Sequence, residues 1–238
     1  MKGMLVLLLL AGALATSHSA FAGGCSQGTL DTYTTSGFSC TIDGNTFADW
    51  GYSPTAGGGA SVVPAASVAV IPCPGASAFC LGIPTGEVGF VFTAPWGAAS
   101  GQMQDAAITY AVTSPSKVLD ALLLYGGFGK TGTGFASVAE TLSIGGSLFV
   151  SDPPGMPASV SATFNPVSSL IVIKNIELAG GTDGTAAISE VVNAWSQAGV
   201  GVATLSSSVP EPGTLSLLGA GLLMAYLSVT RRLRFTRH

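Results

Sequence analysis

Turn-forming residues break this chain at short, recurring intervals. Gly57-Gly58-Gly59, Pro72-Cys73-Pro74-Gly75, Gly126-Gly127, Gly145-Gly146, Pro153-Pro154-Gly155 and Gly180-Gly181 each supply backbone freedom or remove an amide donor. Between them lie short stretches with strand character. Residues 87–92 alternate so that Val88, Phe90 and Phe92 share one face, and residues 107–112, 137–144, 159–164, 169–178 and 186–192 are further candidates. Many short strands separated by turns predict an all-β fold, a single antiparallel β-sandwich or jelly-roll-like domain. Residues 116–125 read two ways: Val118, Leu119, Leu122 and Leu123 fit helical spacing, and a strand fits equally.

This β-rich body, residues 23–208, lies between two apolar ends. Lys2 opens a short basic region, residues 4–14 are apolar, and Ala20-Phe21-Ala22 gives the small-x-small pattern of a cleavage site. Residues 1–22 are therefore expected to be a signal peptide, cut after Ala22 by signal peptidase. A lipid anchor on Cys25 is the weaker reading, because Ala22 stands where a lipobox favours Leu. At the other end, residues 209–238 form an apolar, then basic, tail, joined to the body by a link at residues 206–209.

Charge and cysteine usage narrow the function. Charged residues make up 8% of the chain, against about 25% in ordinary globular domains. The body carries Lys117, Lys130 and Lys174 against eleven carboxylates, a net charge of −8, and has no arginine. Phosphate contacts need clustered Lys and Arg, so a nucleic-acid partner is excluded. His18 and His238 both fall in the end segments. A mature body without histidine has no Ser-His-Asp triad, no Cys-His pair and no His-ligated zinc. Cys25, Cys40, Cys73 and Cys80 form an even set in an exported chain and read as disulfides. Three connectivities are open. Cys25–Cys40 with Cys73–Cys80 is favoured because each closes a short local loop. A four-cysteine zinc site would need paired close spacings that the chain lacks.

Other motifs carry little chemistry. Gly129-Lys130-Thr131 looks like part of a phosphate-binding loop, but Leu124 stands where that motif needs Gly. The carboxylates could hydrolyse glycosides only as a placed pair. Asp43 and Asp49 share a segment, and Asp105 and Asp120 flank a strand, yet nothing in the sequence sets a catalytic separation. Asp43-Gly44-Asn45 with Asp49, and Asp183-Gly184-Thr185, offer oxygen ligands on turns; a structural calcium is the one cofactor these residues could hold, and neither completes an EF-hand. Trp50, Tyr52, Trp96 and Trp195 could stack on sugars or simply fill a core. No Asn-x-Ser/Thr sequon is present.

The tail reads Val209-Pro210-Glu211-Pro212, then an apolar run from Gly213 to Val229, then Arg231, Arg232, Arg234 and Arg237. The prolines hold the backbone extended and accessible. The 17-residue run, as a helix, spans roughly 26 Å, enough for a bilayer core whose ends are snorkelled. The arginines stop transfer on the cytoplasmic side. Three such parts in this order resemble the PEP-CTERM sorting signal of Gram-negative exosortase systems. Residues 37–50, residues 171–177 and residues 189–195 are similar to segments that recur in uncharacterised PEP-CTERM proteins, where Asn175 is often Asp.

The resemblance implies recognition at Pro210, Glu211 and Pro212 by a membrane-embedded exosortase, transient residence in the inner membrane, and delivery to the cell surface or beyond. It also implies an exopolysaccharide-producing cell. The expected function is that of a non-enzymatic surface or matrix protein, associated with exopolysaccharide or biofilm. A permanently anchored single-pass protein with a periplasmic binding domain, and a carbohydrate-active enzyme using carboxylates, are the alternatives.

Overall fold

The computed structural model describes residues 23–75, 80, 83–84, 86–152 and 159–197. The signal-peptide segment 1–22 with Ala20 and Ala22, the link at 206–209, and the tail 209–238 lie outside the described residues. So do Pro210, Glu211, Pro212, the apolar run 213–229 and the four arginines.

The described chain is almost all strand, as its turn punctuation predicts. It begins with β1 (Gly23–Gly24), β2 (Gly28–Thr29), the single-turn helix α1 (Leu30–Tyr33), β3 (Cys40–Ile42) and β4 (Asn45–Gly57). A 3₁₀ turn at Ala65–Ser67 precedes β5 (Ala69–Cys73), β6 (Val88–Ala98), β7 (Met103–Gly126) and β8 (Gly129–Thr131). The last four strands are β9 (Phe135–Leu142), β10 (Ser147–Asp152), β11 (Ser159–Ala179) and β12 (Thr185–Trp195). They join in one sheet of order β1-β3-β4-β7-β12-β6-β5-β2, with β11, β9 and β10 branching from β7 and β8 lying on β12. Pairing is antiparallel except between β1 and β3.

Two long strands make this sheet curl. From Met103 to Thr113, β7 lies between β4 and β11; from Leu122 to Gly126 it lies between β11 and β12. At the crossing, β7 carries Pro115 and a left-handed Lys117 (φ 61°), and β11 carries Asn165-Pro166. Proline has no amide to give the ladder, so the register shifts between Thr163 and Val167 and again before Ser169. The sheet folds over there, and its halves face each other in a sandwich-like arrangement. The Phe47 ring of β4 meets Phe90 of β6 edge-on at 4.7 Å. Trp50 lies 5.1 Å from Phe90, and Tyr110 of β7 lies 5.6 Å from Trp195 of β12. Edge-to-face pairs of this kind add to the stabilisation that burial gives.

Sequence reading and structure differ at this crossing. Residues 159–164 and 169–178 read as two strands because Pro166 separates them; the bulge absorbs the proline and β11 runs through. Residues 116–125 are strand rather than helix. Val118, Ala121 and Leu123 enter the main core, while Leu124 turns to the opposite face, against a small cluster of Cys73, Cys80, Val91 and Val192. A strand covered on both faces needs apolar residues on both, which blurs its period.

Both favoured disulfides are present, Cys25–Cys40 and Cys73–Cys80, with Cα atoms 4.8 and 5.8 Å apart. The first ties the chain entering β2 to β3. The second closes the segment after β5. Between β3 and β4, Asp43 (φ 47°) and Gly44 (φ 82°) form a two-residue hairpin turn. Two positive φ values in succession match the right-handed strand twist and explain the Asp-Gly pair.

Candidate functional site

Four polar side chains meet inside the core. On β11, Val172, Lys174, Ile176 and Leu178 share the inward face, and all are buried. On β9, Glu140 lies inward between Val138 and Leu142 and is the cross-strand partner of Lys174. Asn193 of β12 and Tyr110 of β7 approach from the same interior, and all four polar residues are 0% exposed.

The hydrogen bonds link them into one chain. The Lys174 ammonium pairs with Glu140 Oε2. Asn193 Nδ2 donates to Glu140 Oε1 (3.2 Å) and to the Leu122 carbonyl (3.0 Å). The Tyr110 hydroxyl donates to Asn193 Oδ1. Aromatic rings enclose the group: Trp50 stacks on Tyr110 at 4.6 Å, with Phe47, Phe90 and Trp195 around it.

Burial sets the protonation. It lowers the Lys174 ammonium below its ordinary value, and the Glu140 charge opposes that shift. The Tyr110 hydroxyl is raised, first by desolvation and then by Glu140, so it remains a donor. An amine, a carboxylate, a carboxamide and a phenol are thus held together out of reach of any external substrate. A charged residue on an inward strand register was the signal of this cluster in the sequence. Its meaning depends on which strands the fold brings together.

The residues singled out from sequence serve local structure. Asp43 Oδ2 accepts from the Gly75 amide (2.9 Å). Asn45 turns into the core and donates to the Ile42 carbonyl (3.2 Å), whereas Asp49 stands exposed on a bulge at φ 54°. Asp43 thus lies on the hairpin turn, Asn45 points inward and Asp49 stands on the bulge. Among the described residues no group of three or more His, Cys, Asp or Glu could hold a metal. Asp183 accepts from the hydroxyl and the amide of Thr133 (2.7 and 3.2 Å), and these bonds hold its carboxyl below the usual range.

The carboxylates are dispersed likewise. Asp105 accepts from Asn175 (3.0 Å), and Asp120 accepts from the Ser196 amide (2.8 Å). They lie on different halves of the curled sheet. Glu87, just before β6, is 8% exposed with one carboxyl oxygen lacking a partner. Desolvation, aided by the Asp120 charge, pushes it up to about 7. Trp50, Trp96 and Trp195 are core residues, and Tyr52 gives its hydroxyl to the Val63 carbonyl (2.8 Å). None of the three tryptophans offers a surface for a sugar ring. The best-formed cleft, about 430 Å³, lies between the two disulfides beside Cys25, Gln27, Asp43 and Cys80. Its one carboxylate is already engaged by Gly75.

Comparison with known proteins gives one specific match. No curated protein matches the chain in sequence. Two solved structures are distantly similar. One is the enzymatically active domain of tailspike protein 4 from bacteriophage CBA120, at 15% identity and TM-score 0.28, covering 62% of this chain and 19% of that one. The chain thus spans about a fifth of that protein's length. The other is TmCBM61 in complex with β-1,4-galactotriose, at 11% identity and TM-score 0.29, covering 61% of this chain and 87% of that one. At such TM-scores neither likeness carries an argument. The family described as the PEP-CTERM protein-sorting motif matches residues 208–232. This span contains Pro210, Glu211 and Pro212, the whole apolar run and Arg231-Arg232. The motif indicates a surface protein made as a membrane-anchored precursor and processed by exosortase, and it identifies the chain as a PEP-CTERM sorting-domain-containing protein.

Proposed function

We propose that this chain is a secreted structural protein of the cell surface or extracellular matrix, associated with exopolysaccharide and without enzymatic activity of its own. The sorting motif at residues 208–232 carries this reading. The body supports it. A curled, mostly antiparallel sheet buries its tryptophans and its Lys174–Glu140 ion pair, and Asp43, Asp105 and Asp120 each accept a hydrogen bond within the fold. Two disulfides suit an oxidising exterior.

In this reading signal peptidase cuts after Ala22 and exosortase acts at Pro210-Glu211-Pro212. The apolar run and its arginines then leave the mature protein, which passes from the inner membrane to the surface. Intact mass and terminal peptide mapping of the protein recovered from producing cells test this. A species starting near Gly23 and ending near residues 210–212 is expected. A species that retains residues 213–238 would overturn sorting and make the chain a single-pass anchored protein. A polysaccharide-degradation screen with Asp→Asn and Glu→Gln variants tests the absence of activity: turnover lost in one carboxylate variant would reveal an enzyme.

A further inference from the structure

We propose that Lys174 and Asn193 join covalently, forming an intramolecular amide between Lys174 Nζ and Asn193 Cγ. Glu140 carries the protons and Tyr110 stabilises the carbonyl oxygen. The bond would tie β11 in one half of the curled sheet to β12 in the other, straight through the core.

Each requirement of the reaction has a residue in place. An amine must lose its proton to become a nucleophile, and burial away from water favours the neutral form of Lys174. A carboxylate must accept that proton, and Glu140 Oε2 is paired with Nζ. The amide carbonyl must be polarised, and the Tyr110 hydroxyl donates to Asn193 Oδ1, where negative charge collects in the tetrahedral intermediate. The leaving nitrogen must be protonated, and Asn193 Nδ2 already rests on Glu140 Oε1. A single carboxylate touches both reacting groups, so it holds the amine beside the amide it would attack.

The balance closes without a co-reactant. Two protons move from Nζ to Nδ2 by way of Glu140. The Nζ–Cγ bond forms, the Cγ–Nδ2 bond breaks, and the nitrogen departs as ammonium. Glu140 ends as the carboxylate it was.

The test uses the full chain, exported by an expressing cell, then reduced, unfolded and weighed. Digestion with trypsin and with a second protease follows. The expected protein is lighter than its sequence, between its mapped termini, by the mass of one ammonia. Trypsin fails to cut after Lys174, and the second digest yields a fragment pair joined at Lys174 and Asn193. An unshifted mass with cleavage after Lys174 would overturn the proposal. So would a lost ammonia without a joined pair, because Asn193 would then have cyclised onto its own backbone. Glu140→Gln is expected to restore the full mass and the tryptic site; complete cross-linking in that variant would remove Glu140 from its role. The unsubstituted protein decides the main question even if the variant does not fold. The readout concerns only residues 174 and 193, so it is independent of how the chain's ends are processed.

Discussion

Replacing Glu87 by Gln should make stability less dependent on pH. The carboxyl is raised from its ordinary value near 4.5 to about 7, mainly by desolvation and then by Asp120. Below the lower value both the folded and the unfolded chain hold the proton, and the group contributes nothing. Between the two values the unfolded chain releases its proton while the folded chain keeps it, so stability falls as pH rises. Above about 7 the loss is complete. A shift of this size corresponds to about 3 kcal/mol, and residual solvent contact reduces it to about 1–2 kcal/mol. Gln is nearly isosteric and never ionises. Glu87→Gln should therefore match the natural chain near pH 4 and exceed it by about 1–2 kcal/mol at pH 8, a rise of roughly 2–8 °C in Tm for a body of this size. Thermal and urea unfolding across this range, with disulfides intact, measure the difference. Equal stability of the two proteins at pH 8, or a constant offset at every pH, would refute the argument from desolvation.

Three further outcomes follow from the same geometry. Asp120→Asn keeps an oxygen for the Ser196 amide but removes the charge beside Glu87, so the fall in stability should end at lower pH and be smaller in a titration of unfolding free energy. Phe90→Ala removes a fully buried ring that meets Phe47, Trp50 and Tyr110; a loss of about 3–5 kcal/mol is expected in denaturant unfolding. Exchanging Cys25 and Cys40 for Ser opens a loop of sequence separation 15, and exchanging Cys73 and Cys80 opens one of 7. Loop-closure entropy gives about 3 and about 2 kcal/mol respectively, so the first pair should cost more in the same assay.

The β-rich architecture was legible because most strands cover one face of a core, and one covered face leaves an alternating pattern. Val88, Phe90 and Phe92 show this plainly. The corner was not legible. Pro166 reads as a break when only local propensity is considered, and only the pairing of β11 with β7 shows that the strand continues past it. Leu124 misled for a related reason: its face is covered by the Cys73–Cys80 cluster, which lies far away in sequence. The interior polar group was half visible. Lys174 stands between Val172 and Ile176, and Glu140 between Val138 and Leu142, on the inward period of their strands. Its third and fourth members come from β12 and β7, and no local pattern pairs Asn193 or Tyr110 with them. The sorting tail was fully legible, because its recognition depends on linear order rather than on folding.

The place of β12 in the sheet has a mechanical consequence. β12 is the last described strand before the sorting motif, and it is an interior strand, with β7 and β8 on one side and β6 on the other. A pull on its C-terminal end would be directed along a strand clamped on both edges. Its ladder bonds would bear the load together in shear, whereas a strand at the rim could be peeled away bond by bond. A body pulled through this end would thus resist along both edges of the loaded strand.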